Sequence, residues 1–133
     1  MSTDTTASVS THILDTSIGR PAEGVAISLA ARAGSDADWV ALGGSATDAD
    51  GRCKDLPALP EGTTHVRLDF ETEAYFVKKS ANQQAESQQD APANRDSGAF
   101  FPEVAITFAV VPGEHYHVPL LLNPFGYSVY RGS

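Results

Sequence analysis

Val66-Arg67-Leu68-Asp69-Phe70-Glu71 alternates strictly between apolar and charged side chains. Successive side chains of a β-strand leave opposite faces, so this stretch reads as a strand with one buried face and one wetted face. Working outward, the same period of two recurs in Val25-Ala26-Ile27-Ser28-Leu29-Ala30, where large and small side chains alternate. Residues 104–111 are β-rich and nearly all apolar, the pattern of a strand covered on both sides. Further strands are predicted at residues 10–14, 39–46, 52–56 (a short one), 115–122 and 127–130, about eight in all. Turn chemistry separates them: Gly19-Arg20-Pro21, Gly34-Ser35-Asp36, Asp48-Ala49-Asp50-Gly51, Pro112-Gly113 and Asn123-Pro124-Phe125-Gly126. Many short strands with regular turns predict an all-β antiparallel sandwich, although spacing alone does not separate a sandwich from a small barrel.

The 133 residues suit one compact domain, too small for a deep cleft between two lobes unless copies associate. Nine Lys and Arg stand against 17 Asp and Glu, a net charge of −8. Non-specific nucleic-acid binding and anionic-membrane binding need excess positive charge, so neither partner is expected. The single Cys53 excludes an intrachain disulfide framework. No apolar run approaches the roughly 18 residues of a spanning helix. The opening Met1-Ser2-Thr3-Asp4-Thr5-Thr6 lacks a basic and apolar leader pattern, so an intracellular protein is expected. Residues 1–9 read as a flexible tail and residues 10–133 as the domain. Residues 78–98 are rich in Gln, Ala and polar side chains and hold no large apolar one. They read as an inserted, mobile loop, with a short helix allowed near residues 78–84. A tolerated surface insertion without function is the preferred reading of it.

Four histidines and one arginine draw attention as chemistry. His65 opens the Val66 strand on its polar side and needs no role. His115 and His117 are two apart on a strand and therefore share a face, which suits metal ligation, paired acid–base work or plain surface polarity. A metal would need a third ligand, and no Cys cluster or His-Glu helical motif supplies one. Pro119 on the same face predicts an edge or bulged strand. His12 shares a face with Leu14, and its burial stays open. Arg52, a planar permanent cation suited to oxyanions, follows Asp48-Ala49-Asp50-Gly51, so a local ion pair to Asp48 or Asp50 competes with a binding role. Cys53 reads as a buried structural residue. Tyr130-Arg131-Gly132-Ser133 is a polar, aromatic and cationic ending placed directly after a strand, which suggests a docked terminus.

The block His115-Tyr116-His117-Val118-Pro119-Leu120-Leu121-Leu122, followed by Pro124-Phe125-Gly126-Tyr127-Ser128 and Tyr130-Arg131-Gly132-Ser133, resembles the C-terminal signature of the 5-hydroxyisourate hydrolases, the transthyretin-like enzymes of urate breakdown. Thr11-His12-Ile13-Leu14-Asp15 with Gly19-Arg20-Pro21-Ala22 is similar to the family's opening motif. Asp50-Gly51-Arg52 and Phe100-Phe101-Pro102-Glu103-Val104 match further. Asn123 stands where the family usually has Ser and Val129 where it has Thr, and residues 78–98 are longer than usual where the family's helix would sit.

The resemblance implies a transthyretin-like sandwich of two sheets and eight strands with one short helix, and a homotetramer with sites at the dimer–dimer interface. It implies hydrolysis of 5-hydroxyisourate to 2-oxo-4-hydroxy-4-carboxy-5-ureidoimidazoline, with no metal and no cofactor, in the cytoplasm or peroxisome. His12, Arg52 and His117 match the catalytic positions. His12, Arg52, Tyr130 and Ser133 match the substrate-binding ones, with His115, Arg131 and Gly132 supporting them from behind. Whether His12 or His117 is the general base stays open. The alternative is a non-catalytic binding protein like the vertebrate hormone carriers. Those have Lys for the opening His, Gly-Glu for the Gly-Arg turn and no Tyr-Arg-Gly-Ser ending, and this chain keeps all three features.

Overall fold

The computed structural model describes residues 6–87 and 99–132. Chain order gives β1 (Ser8–Asp15), β2 (Arg20–Pro21), β3 (Ala26–Arg32), β4 (Val40–Ala46), β5 (Arg52–Cys53), β6 (His65–Phe70), α1 (Thr72–Ser87), β7 (Val104–Ala109), β8 (His115–Asn123) and β9 (Gly126–Val129). Two sheets form. One runs β2-β1-β8-β9, with β5 also paired to β1, and the other runs β4-β3-β6-β7. All eight predicted strands are present. The additional β2 falls in the Gly19-Arg20-Pro21 turn, where Arg20 and Pro21 pair with Asp15 and Leu14.

The alternation that opened the reading holds. Val66, Leu68 and Phe70 are fully buried, while His65, Arg67 and Asp69 on the other face are half-exposed. Against them pack Ile27 and Leu29 of β3, Ile13 of β1, and Leu120 and Leu122 of β8, so the core is the space between the two sheets. Burying each such side chain contributes about 1.5–3 kcal/mol. Cys53 is 1% exposed within this core.

Several expectations are corrected. The structured chain begins before residue 10: Ser8 N–H donates to the Glu114 carbonyl, Gly113 N–H to that of Thr6, and Ala7 is buried. The tail assigned to residues 1–9 is therefore too long by the residues that pair with the β8 hairpin. The β7 strand is not covered on both sides. Among the described residues it pairs only with β6, and Ala105, Thr107 and Ala109 are exposed. Conversely, β8 is not an edge strand but lies between β1 and β9. Pro119 is accommodated because its partner Tyr130 contributes a single bond, Tyr130 N–H to the Pro119 carbonyl at 3.4 Å. The β1–β8 pair is parallel, and the other pairings are antiparallel.

The helix is longer and earlier than expected. It runs Thr72–Ser87, so residues 78–87 are helical rather than loop, and the remainder of the expected insertion, residues 88–98, lies outside the described residues. Its first turns are held to the sandwich. The Thr72 hydroxyl donates to the Phe101 carbonyl, Phe76 is buried, and the Tyr75 hydroxyl (2.7 Å) and the Lys79 ammonium (3.0 Å) both donate to the carboxylate of Asp15. From there Ala81, Gln83, Gln84, Ala85 and Glu86, residue types of good helix propensity, extend it. Among the described residues, no helix is long and apolar enough to cross a membrane.

Candidate active site

The outward face of the β1-containing sheet gathers the candidate residues. Along β1 the buried residues are Val9, Thr11, Ile13 and Asp15, so Ser8, Ser10, His12 and Leu14 point away from the core. In β8 Tyr116, Val118, Leu120 and Leu122 are buried, which turns His115 and His117 to the same outer side. Register then sets the rows. His12 pairs with Arg52 on one side and with Pro119 on the other, and Tyr130 bonds to Pro119. In the next row Ser10 pairs with His117, and His117 with Gly132. Neighbouring strands lie about 4.8 Å apart, so Arg52, His12, His117 and the tail through Gly132 form one patch spanning three strands and the tail.

The loop before β5 explains how Arg52 and His12 are held. Gly51 adopts φ +75°, and a Cβ there would stand 2.4 Å from the Ile13 carbonyl oxygen. Only glycine lets this loop lie against β1, where Ile13 N–H donates to the Gly51 carbonyl at 2.7 Å. Asp48 closes the turn by accepting the N–H groups of Asp50 and Arg52. These bonds, led by that from Arg52 N–H, hold the Asp48 carboxyl below the usual range. The local ion pair considered for Arg52 does not form: Asp48 takes its backbone N–H, and the guanidinium is in no ion pair among the described residues. The same turn aims the Asp50 carbonyl at His12, whose Nε2–H donates to it at 3.0 Å. A carbonyl only accepts, so neutral His12 carries its hydrogen on Nε2 and leaves Nδ1 bare.

His117 is held differently. Its Nδ1 lies 2.9 Å from the Ser10 hydroxyl. Burial lowers its pKa, and the neighbouring His12, Arg52 and His115 lower it further, so the imidazole is neutral at pH 7. Gly132 packs against the ring: a Cβ there would come within 2.9 Å of His117 Cδ2. The tail is docked through Gly132, whose N–H donates to the His117 carbonyl at 2.7 Å. Arg131 turns to the opposite side of the sheet. There it lies 4.4 Å from the Tyr116 ring centroid and 3.3 Å from Glu114, which fixes the path of the tail. Tyr130 is 56% exposed, and Ser133 lies outside the described residues. Cys53 points inward, and burial raises its thiol pKa, the wrong direction for a nucleophile. Among the described residues, no group of three or more His, Cys, Asp or Glu is arranged to hold a metal ion.

Three contributors were not singled out from the sequence. Ser8 and Ser10 bond the two β8 histidines, and the Asp50 carbonyl fixes His12. Alternation along β1 puts Ser10 on the face of His12, but only the parallel pairing brings it against His117.

A model of the HIUase/Transthyretin family matches residues 9–132. The chain belongs to that family. A 5-hydroxyisourate hydrolase of Salmonella typhimurium is 39% identical over 127 residues, covering 94% of this chain and 80% of that protein. The solved structure of Klebsiella pneumoniae 5-hydroxyisourate hydrolase superposes with a TM-score of 0.67 at 34% identity, covering 96% of this chain and 94% of the other. Sea bream transthyretin in complex with thyroxine superposes with a TM-score of 0.72 at 26% identity, covering 93% of each. Membership of the HIUase/Transthyretin family therefore spans both a hydrolase and a hormone-binding protein on one sandwich, and the choice between them rests on the patch just described.

Proposed function

We propose that this chain hydrolyses 5-hydroxyisourate, opening its six-membered ring to 2-oxo-4-hydroxy-4-carboxy-5-ureidoimidazoline in urate degradation. The observation that carries the reading is the convergence on one sheet face of a guanidinium in no ion pair among the described residues with two differently held imidazoles: Arg52, His12 and His117. Relatives that bear the hydrolase name support it. Hydrolysis of the ring lactam needs a base for water, a cation for the oxyanion and a proton for the leaving nitrogen. His117, neutral at pH 7, takes the proton of the attacking water through its free Nε2. Arg52 binds the substrate carbonyl edge and stabilises the developing oxyanion, a contribution of about 3–4 kcal/mol in comparable sites. His12, with Nε2–H committed to Asp50, orients water and substrate through Nδ1. Tyr130 and Ser133 contact the polar edges of the substrate. No covalent intermediate is needed, because the one thiol is buried.

The patch is an open sheet face, with Arg52 and His115 exposed and His12 and His117 half-exposed. A second pair of subunits laid over it would exclude water and complete a channel, so we place the site at the dimer–dimer interface of a homotetramer. The test is ultraviolet loss of freshly generated 5-hydroxyisourate. Decay saturably faster than the spontaneous reaction supports the hydrolase. No acceleration together with saturable thyroxine binding supports the carrier instead.

A further inference from the structure

We propose that Ser10 and His115 form a proton relay that lets His117 act as base and then as acid without becoming a cation, with Ser10 as the positioning residue. The inference deepens the hydrolase reading and rests on it. Four side chains on adjacent strands are hydrogen-bonded in series. The Ser8 hydroxyl is 2.6 Å from His115 Nδ1, the Ser10 hydroxyl is 2.9 Å from His115 Nε2, and the same Ser10 hydroxyl is 2.9 Å from His117 Nδ1. The outer end, Ser8 and His115, is exposed to solvent, and the inner end is the half-buried His117.

The bonding pattern has one self-consistent form when His117 is a base. Its Nδ1 is taken by Ser10, so the reacting nitrogen is Nε2 and the ring hydrogen sits on Nδ1. Ser10 then accepts from His117 and donates its own hydrogen to His115 Nε2. His115, in turn, donates Nδ1–H to Ser8. When water attacks the carbonyl carbon, Nε2 takes one water proton. The Nδ1 proton passes to Ser10, the Ser10 hydroxyl proton to His115 Nε2, and the His115 Nδ1 proton to Ser8 and solvent. His117 is again neutral, now as the Nε2–H tautomer. Collapse of the tetrahedral intermediate breaks the carbon–nitrogen bond, and the leaving nitrogen takes the Nε2 proton. Each transfer along the relay then reverses, and one proton returns from solvent at His115 Nδ1. The relay carries no net charge over the cycle.

The surroundings of His117 make such a path useful. His12 faces it from β1, Arg52 from β5 and His115 from β8, and the described residues of the tail, Tyr130 to Gly132, add no carboxylate beside it. An imidazolium in that company is opposed by a permanent cation, and a relay avoids forming one.

The test uses full-length wild type, Ser10→Ala and Ser10→Thr. Ser10→Ala should lower kcat by about tenfold or more while KM stays within about twofold, and Ser10→Thr should recover most of the loss. The dependence of kcat on the deuterium fraction of the solvent should be bowed for wild type and straight for Ser10→Ala, because several protons move together only when the chain is intact. Nitrogen-15 NMR, which needs no substrate, should find the Nδ1–H tautomer of His117 in wild type and a mixture in Ser10→Ala. An unchanged kcat, a loss confined to KM, or a tautomer indifferent to Ser10 overturns the relay. A wild-type protein that fails to accelerate substrate decay overturns the hydrolase reading instead, and the NMR result then decides by itself whether Ser10 positions His117.

Discussion

His12 and His117 are the same residue type on neighbouring strands, yet their rings are held differently. A backbone carbonyl locks one as the Nε2–H tautomer, while burial and neighbouring charge keep the other neutral. The roles proposed for the two rest on these contacts, which the sequence did not show, since neither Asp50 nor Ser10 is adjacent to its histidine along the chain. Followed by NMR, His117 should titrate below the ordinary histidine value of about 6.5. Burial lowers its pKa first, and His12 and Arg52 add to this, so His12→Ala and Arg52→Ala should each move the midpoint upward. Because the folded pKa is depressed, the neutral ring's contribution to stability is present above the unfolded value and is lost as pH falls through the folded one. A midpoint that stays put in Arg52→Ala would remove the guanidinium from the ring's surroundings.

Among the elements, α1 departs furthest from the sequence reading. Its second half holds no large apolar residue, and a composition argument can only read such a segment as loop. The helix is held instead by a polar clamp. Asp15, fully buried at the end of β1, accepts from Ser17, Tyr75 and Lys79. Burial alone would raise its pKa, but these bonds outweigh burial and lower it. The clamp was illegible beforehand because Asp15 and Lys79 lie far apart in the chain and meet only after the sandwich closes. Asp15→Asn should cost about 1.5–3 kcal/mol in urea denaturation, the worth of hydrogen bonds to a charged group. Lys79→Ala should cost less, because the Lys79 side chain is part-exposed while that of Asp15 is fully buried. The clamp's stabilisation is present above the unfolded carboxyl pKa and fades as pH falls through the depressed folded one. Equal losses in the two variants would contradict a clamp centred on Asp15. Strands were more legible than the helix because alternation marks them locally, as at Val66, Leu68 and Phe70. Their partners were not, and so β7 was misread as covered and β8 as an edge.

At the scale of the whole molecule, a single chain leaves much unfinished. Among the described residues the outer strands β7 and β9 each end a sheet with one edge unpaired, and a cavity of about 270 Å³ opens between them, lined by Ile106, Phe108, Val118 and Val129 among others. Unpaired edges beside apolar surface favour pairing with further copies. The homotetramer proposed above predicts that sedimentation equilibrium returns four copies of the 14.0 kDa chain, and a fully active monomer would rule out a site completed by a neighbour. The resemblance drawn from Thr11-His12-Ile13-Leu14-Asp15 and the Tyr-Arg-Gly-Ser ending made the fold and the histidine–arginine patch readable. The serines behind the histidines and the carbonyl of Asp50 emerge only from strand register.

The central claim is that His12, Arg52 and His117 work as one catalytic group. Its most direct measurement is kcat/KM for 5-hydroxyisourate in wild type, His12→Ala, Arg52→Ala and His117→Ala, assayed side by side with folding checked by circular dichroism. Each variant should lose about 10²-fold or more, as expected for removing an acid–base group or an oxyanion donor. Near-wild-type kcat/KM in any one of them would contradict the role assigned to that residue and the unity of the site.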